Sequence, residues 1–237
     1  MSVPRLTRTY LAVPAHRARL VQNAAASAAD AGFMDLEDAV PVAEKASALA
    51  AAAAALAGHD WGRKTVAVRR NAFDSPSIRQ EIAVLGGIGR LDAFIIPKAE
   101  TVDDVAAIGQ WIRDAAATRA APVEMELLIE TARGFVNVEA LAASGGLVTA
   151  LHLGVGDFAA SIGARSAEIG ASPSGYRHVG GAADGHPEVV LDLFAYPMMR
   201  LLVAARAFGL RAIDGPCGAF RDEVVTAAAA RKAAAMG

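Results

Sequence analysis

Residues 125–157 read MELLIETARGFVNVEALAASGGLVTALHLGVGD, and this stretch decides the fold. Two short apolar runs, MELLIE (125–130) and LHLGVGD (151–157), flank a helix-like segment over 131–143. Apolar runs alternating with helices imply parallel strands joined by crossovers. Each run ends in an acid, Glu130 and Asp157. Acids gathered at the carboxyl ends of parallel strands form an active-site floor.

The same pattern recurs on both sides. YLAVPAHR (10–17), FMDLED (33–38), VAVRRN (66–71) and FIIPKAE (94–100) come before it and RAIDG (211–215) after it, which makes seven runs. The fold class is therefore α/β, a TIM-type (β/α) barrel. A length of 237 residues suits one such domain over 1–237, since a barrel typically takes about 250. An eighth run is missing, so the barrel reads as apparently lacking its eighth strand. Helices are expected over 17–29, 41–57, 77–85, 102–117 and 131–143. Thr101 precedes the fourth, with Asp103 and Asp104 in its first turn, where carboxylates suit the helix dipole. The alanine-rich stretches 46–57 and 227–235 read as outer helices. After Asp157 the spacing breaks, because the next strand, over 210–214, lies more than fifty residues on. Between them, 172–187 carries SPSGY and VGGAADGHP, which are turn signals. A functional or interface loop is expected there, then a helix from 188 or 195 to 208 and a last helix over 222–236.

Composition narrows the function. The formal charge is −2 and no run of five Lys or Arg occurs, so nucleic acid is not expected as a partner. Cys217 is the only cysteine, which excludes an intrachain disulfide and a cysteine-rich zinc site. No secretory signal and no span of about 18 uncharged apolar residues appears. The chain reads as cytoplasmic, with no membrane partner. Aliphatic strands and small-residue helix contacts should build the core, because 54% of residues are hydrophobic but only 5% are aromatic.

The strand ends would collect Arg17, Asp35, Glu37, Asp38, Arg69, Asn71, Lys98, Glu100, Glu130, Asp157 and Asp214. This mixture of carboxylates and cations suits a divalent metal and an anionic substrate. Glu130 and Asp157 from adjacent strands form a plausible Mg²⁺ site, since that ion takes one or two protein carboxylates and leaves its other positions to water and substrate. Alternatively, each caps the next helix or pairs with a cation such as Arg133. Asp35, Glu37 and Asp38 repel one another unless a metal, its waters or cations compensate them. Here too a structural role is open, with Glu37 paired to Arg69 or Asp38 capping a helix. Of the consecutive Arg69 and Arg70, one should point inward to substrate and the other outward. GVGDFA (154–159) imitates a dinucleotide signature but puts Asp157 where a pyrophosphate would sit, and that reading is rejected. His152 reads as an interior residue. His16, Arg17 and Arg19 form either a phosphate-binding turn or a solvated basic one. Cys217 has no evident partner base and no nucleophilic role is assigned to it.

RTYLAVPAHRARL (8–20), AGFMDLEDAV (31–40), VAVRRNAF (66–73), FIIPKAE, LLIETARG (127–134), GVGDFAASIG (154–163) and GLRAIDGPCGAFRD (209–222) occur in that order. Together they resemble the citrate lyase β-subunit family of acyl-CoA lyases, within the magnesium-dependent HpcH/HpaI aldolase superfamily. The resemblance implies a Mg²⁺-dependent carbon–carbon lyase. Its substrate would be a carboxylated 3-hydroxyacyl thioester of CoA or acyl carrier protein, citryl or malyl in type, cleaved to an acyl thioester and an α-oxo acid. It also implies roles: Glu130 and Asp157 as metal ligands, Arg69 on the substrate carbonyl or enolate, Glu37 and Asp38 orienting water around the ion, and Arg17 among the residues near the CoA phosphates.

Family members continue past AMG (235–237) into an eighth strand and commonly a lid that brings an aspartate to a neighbouring subunit. Neither follows in this sequence, so turnover is expected to be weak or absent in this chain alone. A homo-oligomer, trimer or hexamer, is expected to cover the open edge. The rival readings are a lyase-like binding or accessory subunit that has lost turnover, and an aldolase of free oxo acids that needs no CoA.

Overall fold

The computed structural model describes residues 7–166, 168–178 and 189–237. In chain order the elements begin with β1 (Tyr10–Pro14), α1 (Ala18–Ala26), β2 (Ala31–Asp35), a 3-10 turn (Val42–Glu44), α2 (Lys45–Gly58), β3 (Thr65–Arg69), α3 (Ile78–Leu85), β4 (Ala93–Ile96) and α4 (Val102–Ala115). They continue with β5 (Glu124–Ile129), α5 (Ala132–Val136), α6 (Val138–Ala143), β6 (Val148–Leu153), α7 (Val155–Ser161), β7 (Arg177–His178), β8 (Val189–Val190), α8 (Ala195–Ala207), β9 (Arg211–Ile213) and α9 (Glu223–Met236). Seven of the strands share one sheet in the order β1-β2-β3-β4-β5-β6-β9. Sequential strands lie side by side and alternate with helices, which is the TIM-type α/β architecture. All seven apolar runs overlap a strand of this sheet.

The chain forms two compact units, one of Met1–Pro97, Val102–Leu127 and Ser144–Thr149, the other of Lys98–Thr101, Leu128–Ala143 and Ala150–Gly237. In the first, β1 to β5 pair in parallel. Parallel strands of this architecture are buried on both faces, and all four residues of β4 are buried. The helices turn one face to that core: Val105, Ile108, Gly109 and Ile112 of α4 are buried at helical spacing. In α2 the buried positions are Ala48, Ala52, Ala55 and Leu56, so part of the alanine-rich stretch is packing surface. The start of β1 is tied down by Arg8, whose backbone N, Nε and Nη2 donate to the Asp30 carboxylate.

The second unit contains the β6–β9 pairing, with Ala150 opposite Arg211 and His152 opposite Ile213. Leu201, Ala204 and Ala205 of α8 and Val138, Leu141 and Ala142 of α6 are among its buried helical residues, and Arg200 clamps Glu139 through two hydrogen bonds. α9 has no buried residue. No described helix is long and apolar enough to cross a membrane.

Three local expectations are corrected. The single helix over 131–143 is two, because Asn137 leaves the helical backbone at φ −98°, ψ 9°. Its N–H closes the first helix on Arg133 and Gly134, while its side-chain amide donates to the Glu100 carbonyl. Asp157 does not end a strand: β6 stops at Leu153, and Asp157 lies in the first turn of α7. Between β6 and β9, Arg177–His178 pairs antiparallel with Val189–Val190. The VGGAADGHP part of the expected loop lies outside the described residues, as does 188 as a helix start, and α8 begins at Ala195.

Candidate functional site

In the first unit, the parallel register places Asp35 opposite Arg69 at the ends of β2 and β3. Their side chains meet there as a fork, with Nε 2.8 Å from Oδ1 and Nη2 2.6 Å from Oδ2. The same guanidinium reaches Glu37 at 3.3 Å and Asp38 at 3.8 Å through Nη1. A cation therefore compensates the three crowded carboxylates. Asp35 is further held because its oxygens accept the N–H groups of Glu37 and Ala39, and the fork fixes the plane of the Arg69 guanidinium.

Arg70 is fully buried, with 0% of its surface accessible, and Glu81 of α3 and Glu37 act on its charge. Burial holds this guanidinium down at about 10, against the pull of Glu81 and Glu37. Glu81 is satisfied by the Asn71 backbone, the Asn71 side-chain amide and the Ser77 hydroxyl. Lys45 ties the region together, donating to the Leu36 and Glu37 carbonyls and to Asn71 Oδ1. Sequence reading missed it just before an alanine-rich stretch. A lysine opening a helix is disfavoured by the helix dipole, which was the available clue that it is used elsewhere.

In the second unit, Glu130 follows β5 directly and is 3% exposed. The Lys98 backbone N–H donates to its Oε1 at 2.9 Å, and the Lys98 ammonium lies 3.4 Å from Asp157 Oδ2. Gly154 leaves room for the Glu130 side chain: a Cβ there would meet Glu130 Cβ at 2.3 Å and Oε2 at 2.5 Å. The helix after Glu130 is capped by Thr131, whose hydroxyl accepts from Gly134 N. Arg133 is 3.8 Å from Glu100.

Arg17 is exposed at the start of α1, beside His16, whose Nε2 is 4.0 Å from Glu44. His152 is buried in β6, and Cys217 is half-buried with its Sγ 3.9 Å from the Thr226 hydroxyl. Among the described residues no group of three or more His, Cys, Asp or Glu side chains is placed to hold a metal ion. Glu130 and Asp157 nevertheless fit magnesium by donor chemistry, since they supply two carboxylates with a cation already on one of them.

Residues 8–237 match the family described as HpcH/HpaI aldolase/citrate lyase. The chain belongs to this family. It is 37% identical to the L-malyl-CoA/beta-methylmalyl-CoA lyase of Cereibacter sphaeroides, over 98% of this chain and 73% of the relative. A (3S)-malyl-CoA thioesterase from the same species is 31% identical, over 91% of this chain and 65% of that one. Among solved structures, the citrate lyase beta subunit of M. tuberculosis complexed with oxaloacetate and magnesium is similar, with a TM-score of 0.73 and 29% identity. That likeness covers 96% of this chain and 86% of the other.

Proposed function

We propose that this chain is a Mg²⁺-dependent lyase that cleaves a carboxylated 3-hydroxyacyl-CoA of the malyl type to an acyl-CoA and an α-oxo acid. The observation that carries the reading is the Glu130 and Asp157 pair, joined through Lys98 in a member of a family whose relatives act on malyl-CoA. Glu130 and Asp157 would hold the ion. When bound, it supplies Lewis-acid charge to the carboxylate and carbonyl oxygens of the oxo acid.

Arg69 would stabilise the negative charge that grows on an oxygen as the carbon–carbon bond breaks. A guanidinium locked by Asp35 needs little rearrangement to do so. Glu37 and Asp38, both within 4 Å of Arg69, would orient solvent and balance its charge. Arg17, exposed and next to His16, would contact the phosphates of the thioester carrier. The uninterrupted family match over 8–237 supports treating both units as one lyase domain.

The test is product analysis of malyl-CoA turnover with magnesium. Lyase activity yields acetyl-CoA and glyoxylate, both abolished by a chelator. A thioesterase would instead release malate and free CoA, and that result would move the chain beside its other relative.

A further inference from the structure

Lys98 is, among the described non-glycine residues, the one with a left-handed backbone, at φ 49°. Lysine has no local preference for that region, so the surrounding structure must impose it. What the conformation achieves is visible in its contacts. The Lys98 N–H donates to Glu130 Oε1, the next N–H, of Ala99, donates to the Leu128 carbonyl, and the Lys98 ammonium turns to Asp157. One residue thus grips two carboxylates with two different groups, a fixed backbone dipole on the buried acid and a flexible cation on the half-exposed one.

We propose that Lys98 is a positioning residue and resident counter-cation that competes with the divalent ion for Asp157. The inference rests on Glu130 and Asp157 being the metal ligands. Its backbone arm sets the Glu130 carboxylate without opposing a metal, because an N–H on one oxygen leaves carboxylate lone pairs for a cation. Its ammonium arm opposes the metal directly. It neutralises Asp157 when the ion is absent and must move off, or share the carboxylate, when the ion arrives. The two arms separate by mutation, since replacing the side chain removes the competitor and keeps the backbone donor.

Magnesium chloride titrated calorimetrically into wild type, Lys98→Met and Lys98→Gly measures this. Removing a unit positive charge a few ångströms from the site should tighten magnesium binding about fivefold or more in both variants. Glycine adopts positive φ freely, so Lys98→Gly guards against misfolding of the methionine variant. A purely structural lysine would leave the affinity unchanged or weaken it, and either outcome overturns the proposal. If wild type binds no magnesium but Lys98→Met does, the competition is confirmed in its strong form. If neither variant nor wild type binds, the proposal falls with the metal reading. Unaltered magnesium binding in both Glu130→Gln and Asp157→Asn would reject the ligand assignment itself, a failure distinct from equal affinities in wild type and Lys98→Met.

Discussion

The two carboxylate clusters solve the same electrostatic problem in opposite ways. Asp35, Glu37 and Asp38 are answered by a planar guanidinium, with Asp35 gripped at two short distances and Arg69 mostly buried. Glu130 and Asp157 share a lysine, through a backbone dipole on one and an ammonium at 3.4 Å, with about 40% of its side chain exposed, on the other. A bidentate arginine closes a charge account for good, whereas a loose lysine leaves it open to a stronger cation. The difference teaches where rigidity and exchange are placed: the first cluster fixes its cation in one plane, and under the proposed function the second would exchange its counter-ion.

If that contrast is right, the first cluster should matter most for stability. Asp35→Ala leaves Arg69 without its bidentate partner in a site where Asp35 is 2% exposed. Breaking a buried pair from one side costs about 3–5 kcal/mol. Urea denaturation should register a loss of this size, and a loss under 1 kcal/mol would mean that the fork is not closed. The second cluster should respond in binding instead of folding. Glu130→Gln and Asp157→Asn are each expected to weaken magnesium-dependent oxo-acid binding roughly 30-fold or more, following the loss of one of two ligands. Their melting temperatures should stay close to wild type, and a large fall would place these acids in the scaffold.

Arg70 sharpens the comparison, because it adjoins Arg69 yet is held down at about 10 by burial, with Nε and Nη2 lacking hydrogen-bond partners. Arg70→Met should cost less than Asp35→Ala, about 1–3 kcal/mol, since it removes a guanidinium with two unpartnered N–H groups but leaves the buried Glu81 without that cation. Thermal melts of Arg70→Met and Arg69→Met side by side would decide whether the neighbours differ as described. The smallest effect belongs to Asp30, whose carboxyl Arg8 holds at about 2, below its ordinary range. A depressed folded-state value stabilises above the unfolded value near 4 and is lost as pH falls toward 2. Asp30→Asn should flatten that part of the acid-unfolding curve by slightly lowering stability at neutral pH, while leaving it nearly unchanged near pH 2.

The sheet was legible because parallel strands write themselves as apolar runs and because charge gathers at their ends. MELLIE and VAVRRN needed no tertiary information. Asp157 was misplaced because the apolar run continues through Gly154 and Val155, hiding the point where strand gives way to helix. The break at Asn137 was hidden for a similar reason, since helical spacing persists across a residue whose amide is engaged by a distant carbonyl. Strand alternation put Arg69 and Arg70 on opposite faces but carried no information on burial: Arg70 is 0% exposed, with Glu81 of α3 acting on its charge. The left-handed turn at Lys98 had no local signal at all, because lysine does not favour it. Only the acid it serves, on the next strand, explains it.

Gly154 ties two distant positions into one inherited choice. A side chain at 154 and the present placement of the Glu130 carboxylate exclude each other. A lineage that keeps the acid is thus bound to the glycine, and one that loses the acid is released from it. Within the family, alanine at the position equivalent to 154 should mark members whose site has been rebuilt or abandoned, a signature readable from an alignment alone.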